Sequence, residues 1–353
     1  MAPLVSVIIN TYNYGRFIEE CIDSVLAQDF PAEQREILVI DDGSTDDTAE
    51  RVKKYGSGVR YFYKENGDQC SAVAFGVLQA KGDLIALLDG DDVWLPNKLS
   101  TVAREFANNP RVVMIYHKYV YWDCRDGSTW EPDYFAEISG DVLSDDRKLI
   151  LYNAAPTSSL VIRHDTFERL SRIPLDRPFM YDSFLISAAP FLGPIACIPS
   201  VLVKNRVHGH NRWAAEQAGP SRATLQRRVA RRTAAIEIIR NWTRENAPKS
   251  SGRHSRMLLR KWQLVLDNEK FQLEPPGRFR QFVYLYQNAM LEAPIISRGE
   301  LAYRWMHAFA VLVFGKHAHY LEGIRTRVRK WRQRFQTLPV TGDQSSESTG
   351  NLR

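Results

Sequence analysis

Cysteine is scarce: Cys21, Cys70, Cys124 and Cys197 stand far apart in a chain of 353 residues and form no C-x-x-C pair. This argues against a disulfide scaffold or a cysteine-based zinc site and suits free thiols of a reducing compartment. Long hydrophobic runs are also missing. A membrane-spanning helix needs roughly 20 apolar residues, and the nearest approach, Trp305 to Phe314, already contains His307. The chain is therefore expected not to span a bilayer. The opening MAPLVSVIIN lacks a basic leader and its apolar run soon meets Asn10, so it reads as a first strand rather than a secretory signal. No internal repeat is visible.

What is present is an ordinary globular composition, 44% apolar and 25% charged, with enough length for a large core. The net charge of +6 hides an asymmetry. Residues 1–213 carry 22 basic and 30 acidic side chains (net −8), and residues 214–353 carry 25 and 11 (net +14). Two physically different parts follow, and the texture changes near 214–220. The expected division is a catalytic domain over 1–215, a basic helical extension over 216–336, and a disordered tail over 337–353, where PVTGDQSSESTGNLR is small and polar. An acidic N-terminal part is no nucleic-acid groove, although acidic residues gathering a metal would tolerate the phosphates of a small nucleotide.

The first hundred residues alternate strand and helix patterns: Val5–Asn10, Phe17–Ala27, Ile37–Asp41, Thr48–Tyr55, Val59–Lys64, Ser71–Ala80 and Leu84–Asp89. This rhythm predicts an α/β fold around a mostly parallel sheet, whose ligands bind beyond the carboxyl ends of the strands. Those ends read Asn10-Thr11-Tyr12-Asn13, Asp41-Asp42-Gly43-Ser44 and Asp89-Gly90-Asp91-Asp92. Strand-like segments recur at Val112–Trp122, Ser158–Arg163 and Ile195–Asn205, with a helix at Asp182–Ala189.

Asp89, Asp91 and Asp92 crowd three carboxylates after the apolar strand LIALL. Such crowding suits a hard cation, Mg²⁺ or Mn²⁺, which typically takes one or two carboxylates together with substrate phosphates; a solvated acidic turn is the competing reading. Asp42 is a candidate acceptor for a nucleotide base or ribose, while its Ser, Thr and Asp neighbours are candidate helix caps.

Three blocks in order, PLVSVIINTYNYGRFIEECIDSVLAQDF, EILVIDDGSTDDT and GDLIALLDGDDVWLPNKL, resemble family 2 glycosyltransferases, inverting nucleotide-sugar enzymes of GT-A fold, over residues 3–213. The resemblance implies a mostly parallel twisted sheet flanked by helices. It implies that Asn10, Tyr12 and Asp42 line the nucleoside pocket, and that Asp89, Asp91 and Asp92, standing where the family's DxD motif stands, hold a divalent metal on the sugar-nucleotide diphosphate, with Asp89 also facing the donor. FMYDSFLISAAPFLGPI is similar to the stretch that supplies the general base, here Asp182, with Tyr181 in place of the commoner His or Glu; an N-cap is the bland alternative for Asp182. VLVKNRVHGHNRW resembles an Arg-x-His-x-x-Asn segment, here Arg206, His208 and Asn211, which would close over the diphosphate and aid the leaving group. The implied activity is transfer of a sugar from a UDP- or dTDP-sugar to a hydroxyl of a saccharide or lipid-linked acceptor in surface-polysaccharide assembly. A non-catalytic sugar-nucleotide or glycan-binding module of the same fold is the alternative.

The basic extension needs an anionic partner or a packed face. Arg227, Arg228, Arg231 and Arg232 lie in one helical stretch, and RTRVRKWRQR follows the apolar WMHAFAVLVF. Three readings stand: peripheral contact with an anionic membrane at its cytoplasmic face, packing on the catalytic domain, and a homo-oligomer contact. No nucleic-acid module accompanies the charge, so nucleic acid is not an expected partner.

Overall fold

The computed structural model describes residues 4–132, 135–152, 155–174, 178–208, 221–293 and 298–314. Strand β1 (Val5–Thr11) is buried along its whole length, as a strand covered by helices on both faces must be. The alternation continues with helix α1 (Gly15–Leu26), β2 (Arg35–Asp41), α2 (Thr48–Lys53), β3 (Arg60–Tyr63), α3 (Asp68–Gln79) and β4 (Leu84–Asp89). Then come β5 (Val93–Trp94), α4 (Lys98–Asn108), β6 (Met114–Asp123), β7 (Thr129–Trp130), α5 (Asp146–Leu151), β8 (Leu160–Arg163), α6 (His164–Leu170), α7 (Tyr181–Ala188) and β9 (Ile195–Val207).

Among the described residues these strands form one sheet in the order β3-β2-β1-β4-β8-β6-β9-β5, with β7 paired to β6. β1 runs parallel to β2 and β4, and β2 to β3. Beyond β4 the sheet is mixed: β8 is antiparallel to both β4 and β6, whereas β6 and β9 are parallel. The parallel expectation thus describes the βαβ-connected half, where each crossover helix returns the chain in the same direction. Register brings the polar strand ends level, with Asn10 opposite Asp89 and Thr11 opposite Asp41.

Side-chain alternation splits the core between the two sheet faces. Val7 and Ile9 meet Ile18 and Ile22 of α1 and Val102 and Phe106 of α4. Ile8 and Ile40 meet Val73 and Val77 of α3 on the other face. Gly76 lets α3 sit close, since a Cβ there would stand 2.7 Å from Ile8 Cγ2. The four cysteines are free thiols, Cys21 and Cys70 buried.

Two long helices, α8 (Arg222–Asn246) and α9 (Gly252–Leu273), join the second face. Ile238, Trp242 and Leu258 share one core with Phe184 and Leu185 of α7. Trp242 meets Phe184 edge-on at 6.1 Å, and its indole N–H donates to Arg169 O at 3.3 Å. Arg232 and Glu269 form a buried two-bond pair between α8 and α9, both bonds 2.8 Å. The chain divides into compact units at 275/276, and the apolar side of α8 completes the core of the first unit. The second unit, described by itself, contains α10 (Arg278–Glu292) and α11 (Arg298–Phe314), tied by Arg304 to Glu292 at 2.6 Å. No helix among the described residues is long and apolar enough to cross a membrane. The tail 337–353 and the run Arg325–Arg334 lie outside the described residues.

Candidate functional site

The loops after β1, β2 and β4 meet at one sheet edge and are stitched together. Asn13, in left-handed backbone (φ 57°), donates its N–H to Ser44 Oγ at 2.8 Å and accepts from Thr45 N at 2.8 Å. Asp46 Oδ2 accepts from Gly15 N and Oδ1 from Thr48 N, the first backbone donors of α1 and α2, while Asp47 at the N-cap position of α2 makes no capping bond. Asp41 accepts from Ser44 N and the Tyr61 hydroxyl, both at 2.7 Å, and is spent on the turn. Asp42 is buried; its Oδ1 accepts from Lys64 Nζ at 2.6 Å and Gly67 N at 3.0 Å. Gly43 turns at φ +88°, where a Cβ would stand 2.9 Å from Asn66 N. Tyr12 is 47% exposed at the rim, and Asn10 is buried with its Oδ1 unpartnered in the protein.

The three acidic-loop carboxylates have separate fates. Asp89 Oδ1 accepts from Gln69 Nε2 at 2.7 Å. Burial, then the neighbouring Asp91 charge, push its carboxyl up to about 7 against the pull of Asn10 and Gln69, and Asp182 adds to the push. Asp91 Oδ2 lies 3.0 Å from His208 Nε2. Asp92 turns into the protein: Ser158 Oγ and Asn205 Nδ2 each donate to Oδ2 at 2.6 Å, and Arg206 N donates to Oδ1 at 2.8 Å. Burial and its two carboxylate neighbours push the Asp92 carboxyl up while these donors oppose them. The oxygens of Asp92 thus tie the acidic loop to β9 and Ser158.

Arg206 and His208, at the end of β9, reach this loop. The Arg206 guanidinium lies between the rings of Phe17 (4.6 Å) and Trp122 (4.2 Å), donates to Asp91 O at 2.6 Å and pairs with Glu20 at 2.6 Å. Its visible work is to hold the loop. His208 packs on Phe17 at 4.6 Å, and Arg16 Nη2 is 3.2 Å from its Nδ1. An arginine can only donate, so the tautomer satisfying both contacts accepts at Nδ1 and carries its proton on Nε2, toward Asp91. Asn211 lies outside the described residues.

Asp182 stands in the first turn of α7, half-buried, with Oδ1 accepting from Ser183 N at 2.6 Å. Its electrostatic push on Asp89 places it in the same acidic field. Tyr181, beside it in sequence, instead enters an aromatic core with Phe179 and Phe184 and is no partner of a base. Residues missed by sequence reasoning include Gln69, Lys64 and Ser158. Each is a single polar residue whose signal depends on which carboxylate the fold sets opposite it.

Among the described residues no group of three or more His, Cys, Asp and Glu side chains is arranged to hold a metal ion. Asp89 and Asp91 are two mutually repelling carboxylates at one strand end, with an unpartnered buried oxygen on Asn10. Such a set fits an ion whose remaining ligands come from phosphates and water.

Residues 6–169 match the family model for glycosyl transferase family 2. An uncharacterized glycosyltransferase of Nostoc sp. (strain PCC 7120) is 32% identical over 218 residues, 59% of this chain and 66% of the relative. One from Rickettsia typhi is 31% identical over 212 residues, 59% and 65% respectively. The matched regions thus span just under two thirds of these relatives. Among solved structures, S. aureus TarS residues 1–349 in complex with UDP superposes with TM-score 0.60 at 19% identity, over 88% of this chain and 92% of that one. A mannosyltransferase of Pyrobaculum calidifontis, in complex with GDP-Man and Mn²⁺, gives 0.51 at 18%, over 93% and 87%. At such identities the likeness is one of fold, and the fold is GT-A. The segment that matches the family 2 model is the one carrying β1 to β4 and the acidic loop.

Proposed function

We propose that the chain is a metal-dependent, inverting glycosyltransferase that moves a sugar from a UDP- or dTDP-sugar to a hydroxyl of a saccharide or glycolipid acceptor, in surface-polysaccharide assembly. The observation that carries this reading is the junction of Asp89, Asp91 and Asp42 at one sheet edge, with Asp182 in the same electrostatic field. Asn10, Tyr12 and Asp42 are assigned to the nucleoside, with Asp42 oriented by Lys64 and the Gly67 N–H. Asp89 and Asp91 would hold Mg²⁺ or Mn²⁺, which when bound would offset the charge of the donor diphosphate.

Asp182 takes the proton from the acceptor hydroxyl as that oxygen attacks the anomeric carbon. The bond from that carbon to the diphosphate oxygen breaks, and the nucleoside diphosphate leaves with the electron pair. One displacement inverts the anomeric centre. Charge gathers on the leaving phosphate, where a nearby guanidinium or imidazole N–H stabilises the transition state more than the ground state. Arg206 and His208 contribute mainly by fixing the Asp91 loop against β9.

The unit after residue 275 is proposed as the membrane-facing part. Phe279, Met306 and Phe309 are each 60% exposed or more, and in sequence the basic run Arg325–Arg334 follows. Apolar side chains beside cationic ones suit an anionic lipid surface.

The test is calorimetric titration of the full chain with UDP-, GDP- and dTDP-sugars, with Mn²⁺ or Mg²⁺ and again with EDTA. Metal-dependent binding of one nucleotide supports the reading and names the donor class. Absence of binding in every combination overturns it.

A further inference from the structure

α3 begins in an unusual way. Its first residue, Asp68, has φ 74°, a left-handed conformation that side-chain-bearing residues rarely adopt and that Asp tolerates better than most. This strained residue sits between two site carboxylates. On one side, Gly67 N donates to Asp42 Oδ1 at 3.0 Å. On the other, Gln69 donates its side-chain amide to Asp89 Oδ1 at 2.7 Å and lies 3.3 Å from Thr157 Oγ1. The left-handed step turns the chain so that the residues on either side of Asp68 serve both.

A strained backbone residue persists where its surroundings over-determine it. Here Asp68 Oδ1 accepts from Gln69 N at 2.7 Å, and Asp68 Oδ2 pairs at 2.9 Å with Arg231 Nη2 of α8. The Asp68 side chain is only 8% exposed and that of Arg231 28%, so water screens the pair poorly. α8 is itself held by Trp242 and by the Arg232–Glu269 pair, neither of which involves Arg231. Arg231 is therefore a fixed post against which the start of α3 rests, and it lies beyond the segment 6–169 that matches the family model.

We propose that Arg231 is a positioning residue for the donor site: by pinning Asp68 in its left-handed conformation it keeps Gln69 on Asp89 and Gly67 on Asp42. The link to the donor rests on the glycosyltransferase reading above; the link from Arg231 to Gln69 does not. Arg231 thereby makes the first helix of the basic region part of the site machinery.

The experiment uses the full chain and two readouts. In hydrogen exchange without ligand, Arg231→Met should speed exchange of a peptide spanning residues 66–72 about tenfold, the factor that corresponds to roughly 1.4 kcal/mol of local opening, and Arg231→Lys should restore part of the protection. With UDP and Mn²⁺ as the probe, Arg231→Met should weaken binding about tenfold. Asp68→Gly, which adopts positive φ without strain, should restore affinity in the Arg231→Met background. A purely structural role for Arg231 would lower the melting temperature without this rescue. Unchanged exchange at residues 66–72 in folded Arg231→Met overturns the proposal, even for a wild type that binds no UDP. Altered exchange with no UDP binding by the wild type overturns the donor reading and with it the assignment of Arg231 to a donor site.

Discussion

His208 Nε2 stands 3.0 Å from Asp91 Oδ2, joining the end of β9 to the acidic loop after β4 across 117 residues of sequence. With Arg206 N on Asp92 Oδ1 and Arg206 Nε on the Asp91 backbone carbonyl, the end of β9 holds both Asp91 and Asp92. The two have different fates, and the difference makes predictions.

Asp91→Ala removes one of the two carboxylates assigned to the cation. Metal-dependent binding of a nucleotide sugar should be lost in calorimetry while the folded fraction is retained. Asp92→Asn should instead lower the melting temperature, because it replaces an acceptor of three donors with a group that must donate. Equal loss of metal-dependent binding with unchanged melting in both variants would contradict the division drawn between them.

Asp182→Asn keeps size and shape and removes the carboxylate proposed as the base. Nucleotide-sugar binding should stay within about twofold, and transfer should fall by about 10²–10⁴-fold, the usual contribution of a positioned base. Single-turnover product formation at near wild-type rate would exclude Asp182 from that role.

Trp242→Ala tests whether α8 belongs with the catalytic sheet. Trp242 is 2% exposed against Phe184, and truncating such a side chain costs about 3–5 kcal/mol. Urea unfolding should show that loss in a single transition. A chain cut at residue 215 should expose the apolar side of α7 and bind a hydrophobic dye. A soluble, cooperative 1–215 fragment would contradict the shared core.

Lys261 on α9 gives a pH test away from the site. Its ammonium donates to Tyr152 O, and burial lowers its pKa from the ordinary 10.5 to about 8. Below about 8 both folded and unfolded chains bind the proton, and the folded state bears the full cost of burying it. Between about 8 and 10.5 only the unfolded chain binds it, so this residue makes stability rise with pH. Measured by urea unfolding at pH 7.5, 8.5 and 9.5, the stability of Lys261→Met relative to wild type should fall across that window. A constant difference would show that Lys261 titrates at its ordinary value.

Much of this was legible in the chain itself. Buried parallel strands need apolar residues on both faces, so VSVII and LIALL announced themselves. The sheet rule then located the site, because polar residues such as Asn10, Asp42 and Asp89 stand where those runs end. The packing of α8 was not legible because arginines dominate its composition, whereas Ile238 and Trp242 decide what it packs against.

The sequence by itself determined the element order, the edge at which the acidic residues gather and the resemblance to family 2, because hydrophobic period and strand-end chemistry are local properties. Only the tertiary structure decided that Asp92 is turned into the protein by donors from β9 and Ser158, that Tyr181 belongs to the core, and that Arg231 bears on Asp68. These are questions of direction. Neighbouring carboxylates are alike in sequence, and which one turns inward depends on whether a donor from β9 or α8, more than a hundred residues away, stands within hydrogen-bonding distance.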